Sequence, residues 1–218
     1  MAGLRLAVLI SGQGSNLQAL IDATQRAGFG AEIVIVISNQ PNAYGLGRAR
    51  KAGLSTKLIE HRAFASRDAF DDAIDGALRD ARVDLVCLAG FMRVLGDAFV
   101  ERWRDRLINI HPSLLPAFKG LDVHARVLAA GARISGCTVH YVRPEVDAGP
   151  IIVQAAVPVL PDDTVDALQA RVHRVEHVIY PLAVELIAKG RVRIEGDLVR
   201  LSGVTTEDAR LISPARPS

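Results

Sequence analysis

The stretch Leu4-Arg5-Leu6-Ala7-Val8-Leu9-Ile10-Ser11-Gly12-Gln13-Gly14-Ser15-Asn16 decides how the rest of the chain is read. Leu4 to Ile10 is a short, nearly continuous apolar run, the pattern of a strand covered on both faces in a parallel sheet. It breaks into a glycine turn, after which Leu17, Leu20 and Ile21 recur at helical spacing. Strand, glycine turn, helix is the order an anion site needs, because glycines let the backbone approach closely and free amides at a helix start point at a phosphate. The Lys of a P-loop is missing, as is the third glycine of the dinucleotide fingerprint, so ATP and NAD are both poorly supported. The alternative is an ordinary tight turn with Ser15 or Asn16 capping the helix.

Outward from this unit the pattern repeats. Ile33 to Ile37 reads as a second buried strand and ends in Ser38-Asn39-Gln40-Pro41-Asn42, with Asn39 near where a dinucleotide domain carries an acidic residue. Leu46 to Ala52 suits a short helix stopped by Gly53, and Thr56 to Ile59 a third strand. Arg67 to Leu78 reads as an amphipathic helix with Asp68, Asp71 and Asp72 toward its positive end. Val83 to Ala89 and Arg104 to Ile110 complete four or five βα units, which imply a mostly parallel sheet with right-handed crossovers. Past Pro116 the pattern changes. Thr138 to Val142 and Ile151 to Val157 are joined by the short Arg143 to Pro150 segment and are expected to be antiparallel. Thr164 to Lys189 predicts a long helix, with Asp162, Asp163 or Thr164 as cap, Gly190 as stop and Pro181 as a point of kinking. Val192 to Ile194 and Leu198 to Leu201 predict a terminal hairpin around Gly196-Asp197. The expected class is α/β: an open, mostly parallel twisted sheet with a C-terminal antiparallel portion and a long helix.

With 218 residues, half of them hydrophobic, the chain has enough apolar material for a large core, which excludes wholesale disorder. Its 26 basic and 24 acidic side chains leave a formal charge of +2, so no basic field argues for nucleic acid. Cys87 and Cys137 lie far apart without CxxC or metal spacing, and Cys87 sits in an apolar run, which points to a core residue and a reduced, cytoplasmic setting. The first apolar run is too short for a secretion signal or a membrane span, so a soluble protein is expected. Thr205 to Ser218, with Pro214 and Pro217, reads as a loosely held tail.

A second stretch, Ile108-Asn109-Ile110-His111-Pro112-Ser113-Leu114-Leu115-Pro116, places an amide and an imidazole two residues apart where an apolar segment stops. If the backbone is still extended there, Asn109 and His111 share one side, while Pro112 and Pro116 forbid continuation as a central strand. From the residues alone the pair is either a loop anchor or part of a site. Gly12 to Asn16, Gly90 to Leu95 and Asn109 to Pro112 all fall at strand carboxyl ends, where ligands gather in such sheets. His140 is a candidate to line that crevice, whereas His61, His124, His173 and His177 read as surface or structural. Ser113 lacks any triad context, which argues against serine hydrolysis.

Taken together, Ser11 to Leu17, Ala89-Gly90-Phe91-Met92-Arg93-Val94-Leu95, Asn109 to Pro116 and Asp147-Ala148-Gly149-Pro150 closely resemble the phosphoribosylglycinamide formyltransferases of purine biosynthesis, from about Leu4 to Leu201. The Asn-x-His-Pro-Ser-Leu-Leu-Pro run with the Asp-x-Gly-Pro loop is specific for formyltetrahydrofolate-dependent enzymes in general. The glycine turn looks like the acceptor-phosphate loop of the ribonucleotide enzyme. Ala117-Phe118-Lys119-Gly120 differs from the Arg-Trp-Arg-Gly of methionyl-tRNA formyltransferases. Neither their extra C-terminal nucleic-acid-binding domain nor the N-terminal regulatory domain of formyltetrahydrofolate deformylases is expected.

The resemblance implies one Rossmann-like formyltransferase domain over residues 1–204, with a phosphate-binding half of about 1–105 and a folate and catalytic half of about 106–204, followed by the tail 205–218. It implies transfer of a formyl group from 10-formyltetrahydrofolate, as cosubstrate, to the amine of 5'-phosphoribosylglycinamide. Asn109, His111 and Asp147 would be catalytic, and Gly14, Ser15, Asn16 and Glu176 would bind the ribonucleotide. Arg67, Met92, Arg93, Val94, Leu95, Asn109, Arg143, Pro144, Glu145, Val146 and Asp147 would hold the folate. Asp122 stands where the family more often carries a basic or imidazole side chain near the phosphate, and His173 stands on the long helix, close to Glu176, where a neutral amide is usual. The partners implied are small molecules, with no metal, nicotinamide, nucleic acid or membrane, and a homodimer is compatible with the resemblance. The competing expectations are hydrolysis of formyltetrahydrofolate and noncatalytic folate or phosphate binding.

Overall fold

The structure, a computed structural model, describes residues 3–204 and Ser213. In chain order its elements are β1 (Leu4–Ile10), α1 (Ser15–Thr24), β2 (Ala31–Ser38), α2 (Tyr44–Lys51), β3 (Thr56–Leu58), a 3-10 turn (His61–Ala63), α3 (Arg67–Asp80), β4 (Leu85–Leu88), α4 (Asp97–Arg102), β5 (Leu107–His111), α5 (Val123–Ala129), β6 (Ile134–Tyr141), β7 (Ile151–Pro158), α6 (Val165–Ala188), β8 (Val192–Glu195) and β9 (Leu198–Leu201). Seven strands form one sheet in the order β3-β2-β1-β4-β5-β6-β7, and β8 and β9 pair by themselves. The first five strands of that order run parallel, β6 runs antiparallel to β5, and β7 runs antiparallel to β6. This is the expected mostly parallel sheet with an antiparallel portion. The expected tail lies outside the described residues apart from Ser213.

The two-residue period of β1 splits the core. Leu6, Val8 and Ile10 pack in one apolar cluster with Leu17 and Leu20 of α1 and Val184 of α6. Ala7 and Leu9 face a second cluster with Ile74 of α3 and Phe99 and Trp103 of and after α4. Both faces of the strand are therefore dry, which is why its sequence is a continuous apolar run. Tyr180 of α6 is fully buried, and its hydroxyl donates to the Leu88 carbonyl at 2.9 Å, pinning the long helix to the carboxyl end of β4.

The differences from expectation are local. α4 and α5, of six and seven residues, were not anticipated, because each is too short to display a helical period. β5 begins at Leu107 instead of Arg104: the Arg104 and Arg106 amides close turns on Glu101 and Trp103, and Asp105 sits at φ 60°. β6 starts four residues before Thr138, at Ile134. Of the three candidate caps of α6, Thr164 caps, its hydroxyl accepting from the Ala167 amide at 3.2 Å, while Asp163 pairs with Arg171. Pro181 lies inside α6, as expected.

Candidate active site

The glycine turn leaves β1 and enters α1 through Gly14, which is the N-cap at φ 68° and has no side chain to offer. A Cβ at Gly14 would stand 2.7 Å from the Gly45 Cα, so both the left-handed backbone and the close approach of α2 require glycine here. Neither Ser15 nor Asn16 caps the helix. The Asn16 side chain instead donates to Glu176 Oε2 of α6 at 2.8 Å, in a buried bond spanning most of the chain. The turn is held from behind, with Gly45 N donating to the Gly12 carbonyl and Arg48 Nε to the Gln13 carbonyl, each at 3.0 Å. The first-turn amides of α1 thus have no capping side chain, which is the geometry an anion needs. A cavity of about 690 Å³ between α1 and α6 begins at Ser15 and includes His177 and Arg48, but it does not reach the carboxyl end of β5.

At that end, Asn109 and His111 are the third and fifth residues of β5 and share one side of it, as the spacing required. The buried His111 ring lies between two acceptors. Its Nε2–H donates to the Phe118 carbonyl at 2.9 Å, and Nδ1 faces Asp147 Oδ2 at 3.3 Å. A doubly protonated ring satisfies both. Asp147 arrives from the β6–β7 connection at φ 51°, a backbone conformation unusual for an aspartate. Its Oδ2 also accepts from Gly120 N at 2.9 Å. Gly149 lets this connection fold against β6, because a Cβ there would collide with the Tyr141 carbonyl.

His140 completes the group. It lies opposite Asn109 in the β5–β6 pairing, with Asn109 Nδ2 3.4 Å from its Nε2 and Asp147 Oδ1 at 3.7 Å. Its Nδ1–H donates to the Tyr141 carbonyl at 2.9 Å, leaving the Nε2 lone pair for the Asn109 amide. Burial pushes the His140 pKa below the ordinary histidine value and keeps the ring neutral, against the opposite pull of the Tyr141 carbonyl and Asp147. Both histidines thus face Asp147, but their second partners differ, the Phe118 carbonyl for His111 and the Tyr141 carbonyl for His140.

The folate residues expected from the sequence fall on two loops, except Arg67 at the start of α3 and Asn109 in β5. Met92 and Val94 expose apolar side chains after β4, and Val146 exposes one beside Asp147. Leu95, by contrast, is buried in the core. The Arg143 guanidinium turns away to Asp105 at 2.6 Å, and Glu145 pairs with Lys119 at 2.9 Å, tying the two loops that flank His111 and Asp147. Arg67 opens α3 beside Asp71, whose carboxylate accepts from the Gly96 amide at 2.7 Å and so fixes the end of the Met92 segment.

A family model described as formyl transferase matches residues 4–184. The chain is 44% identical over 200 residues to the phosphoribosylglycinamide formyltransferase of Escherichia coli, covering 92% of this chain and 94% of that protein. Its fold superposes with a TM-score of 0.90 on glycinamide ribonucleotide transformylase 1 from Symbiobacterium toebii, at 48% identity over 92% of this chain and 94% of that one. The chain belongs to the phosphoribosylglycinamide formyltransferase family. It is also 53% identical over 203 residues to the trifunctional purine biosynthetic protein adenosine-3 of Bos taurus, but spans only 20% of that longer protein.

For a member of this formyltransferase family, several residues matter here that sequence reasoning had passed over. Thr138 accepts from Leu115 N at 3.1 Å and donates to the Ser113 carbonyl at 2.7 Å, and Gln154 Nε2 donates to the Leu115 carbonyl at 2.9 Å. Both fix the loop that follows His111. Ser113 is buried, and its hydroxyl donates to the Ala117 carbonyl at 2.6 Å, so it shapes the loop. His124, expected at the surface or as structural, is buried in α5, and burial together with His173 and His111 lowers its pKa. Asp122 is exposed at the start of α5, and His173 stacks on His177 along α6 one turn before Glu176. Both cysteines are buried and free, and burial pushes both thiols up to about 12, with Glu176 adding to the effect at Cys137. No group of His, Cys, Asp and Glu among the described residues is arranged to hold a metal, and no helix among them is long and apolar enough to cross a membrane.

Proposed function

We propose that this chain transfers the formyl group of 10-formyltetrahydrofolate to the amine of 5'-phosphoribosylglycinamide, giving formylglycinamide ribonucleotide and tetrahydrofolate. The observation that carries the reading is the convergence of Asn109, His111 and Asp147, from β5 and a distant loop, at the carboxyl end of β5, in the same sheet whose β1 leads into the uncapped start of α1. The names of its relatives point to the same acceptor. Gly14, Ser15 and Asn16 hold the ribonucleotide phosphate through α1 amides, and Glu176, already bonded to Asn16, lies within reach of the ribose. The exposed Met92, Val94 and Val146 fit the apolar body of a folate, with Arg67 and the Arg143 to Asp147 loop beside it.

The acceptor nitrogen attacks the formyl carbon, negative charge collects on the formyl oxygen, and the bond from carbon to N10 then breaks. Asn109 has an amide N–H for that oxygen, while His111 supplies positive charge next to it. A direct bond from His111 requires its Nε2–H to leave the Phe118 carbonyl, a residue itself held at φ 53°. Asp147 favours the imidazolium by its opposite charge and, through a water, guides the proton lost by the amine toward N10. Two buried free thiols fit a reducing compartment, so we assign the protein to the cytoplasm, and we treat residues 1–204 as one formyltransferase domain.

The test is a product assay with purified protein, glycinamide ribonucleotide and 10-formyltetrahydrofolate, run beside an acceptor-free control. Formylglycinamide ribonucleotide is expected only in the complete mixture. Formate released at the same rate without the acceptor would replace transfer by hydrolysis, and binding without either product would leave a noncatalytic protein.

A further inference from the structure

We propose that Ser11, oriented by Asn39, is a positioning residue that couples the two substrate sites, locking the phosphate turn to the folate segment so that filling one favours filling the other. The inference rests on the functional reading above for the identity of the two ligands. Ser11 is the residue between β1 and the Gly12 to Asn16 turn, and it grips the Gly90 to Met92 segment twice. Its backbone N–H donates to the Gly90 carbonyl at 3.1 Å, and its hydroxyl oxygen accepts from Met92 N at 2.8 Å.

A serine hydroxyl has one proton to give, and here that proton goes to Asn39 Oδ1 at 2.6 Å. Asn39, 2% exposed just past the end of β2, is held in turn by its Nδ2 facing His61 Nδ1 at 3.3 Å. The carboxamide therefore sets which way the hydroxyl points and leaves a lone pair for the Met92 amide. Three neighbouring strand ends, those of β2, β1 and β4, are joined through one side-chain oxygen. On the other side of the turn, Gly45 and Arg48 hold the Gly12 and Gln13 carbonyls, so the turn and Ser11 belong to one hydrogen-bonded frame. An anion that orders the turn holds Ser11 in the position from which it fixes Met92, and by reciprocity a folate that orders the Met92 segment tightens the turn.

The test is calorimetric titration of tetrahydrofolate into the protein with and without saturating glycinamide ribonucleotide, for wild type, Ser11→Ala, Ser11→Thr and Asn39→Ala. In wild type the ribonucleotide is expected to tighten tetrahydrofolate binding by about fivefold, the scale of one hydrogen bond. Ser11→Ala should weaken tetrahydrofolate binding by about fivefold and erase the difference, while the affinity for the ribonucleotide alone stays within about twofold. In turnover, KM for the formyl folate should rise more than kcat falls. Ser11→Thr, which keeps the hydroxyl, should restore coupling, and Asn39→Ala should give a smaller loss in the same direction. Equal tetrahydrofolate affinities with and without ribonucleotide in wild type, or full coupling in a Ser11→Ala protein that melts cooperatively, would overturn the proposal. If Ser11→Ala shows no cooperative melt, Asn39→Ala decides alone, since it leaves the hydroxyl in place. Wild-type protein that makes formylglycinamide ribonucleotide while these variants behave normally defeats only the coupling. Failure of wild type to make it defeats the functional reading.

Discussion

At the end of β1 the chain presents backbone amides, whereas at the end of β5 it presents side chains held in place by distant segments. The glycine turn works by what it lacks: Gly14 has no side chain, and the start of α1 has no capping group. The β5 end works by mutual satisfaction, with His111 between Asp147 and Phe118 and Asn109 against His140. A backbone site tolerates changes of side chain but not of conformation. A side-chain site behaves in the opposite way, since removing one member leaves its partner buried and unpaired.

The largest effect should come from the β5 end. His111→Ala and Asp147→Asn are each expected to lower kcat by about 100- to 1,000-fold, the usual scale for losing one preorganised electrostatic partner. Steady-state kinetics on protein with a wild-type melting temperature checks this, and turnover within tenfold of wild type would remove either residue from the chemistry. At the other end, Gly14→Ala forces a Cβ into the left-handed region and against Gly45. It should cost about 1–3 kcal/mol of stability and weaken ribonucleotide binding, read by denaturant melts and titration. An unchanged Gly14→Ala protein would mean that neither the left-handed backbone nor the approach of α2 requires glycine there.

The pH dependence of stability sharpens the contrast, because histidines whose pKa falls on folding gather around the side-chain site and α6. Burial lowers the pKa of His140, His124 and His177 below the ordinary 6.5. The folded protein then binds fewer protons than the unfolded chain in that interval, so stability rises with pH there. The contribution is complete above pH 6.5 and is lost as pH falls through the lower folded-state values. Melting temperatures should therefore drop below that pH, and His140→Asn should flatten the slope. A slope unchanged by this variant would contradict a neutral His140. The smallest effect is expected for Ser113→Ala, which removes a loop hydrogen bond worth about 1 kcal/mol but should leave turnover within a few-fold. A loss of turnover on the scale of His111→Ala would make Ser113 chemical after all.

What was readable from the chain alone follows from how far apart the cooperating residues lie. β1, the glycine turn and α1 are contiguous, so their order alone announced the unit, and the alternative of a Ser15 or Asn16 cap needed only the helix start to be settled. The long helix was legible because its period persists over 24 residues, while α4 and α5 end before a period can declare itself. Asn109 and His111 were visibly a pair, but their partners were not. His140 reached Asn109 only through antiparallel pairing of β6, and Phe118 reached His111 through a loop that Thr138 and Gln154 fold back.

The sequence by itself determined the alternation of buried strands and helices, the conformation demanded at Gly14, and, through its family motifs, which residues are proposed for formyl transfer. Local sterics and hydrophobic period act over a few residues, so they can be read along the chain. Only the tertiary structure decided that His111 faces a carboxylate while His140 stays neutral, that Asn16 serves Glu176 instead of its own helix, and that Ser11 joins the glycine turn to Met92. Protonation state and hydrogen-bond partner depend on which groups burial forces together, and that is a property of the packed molecule and not of any stretch within it.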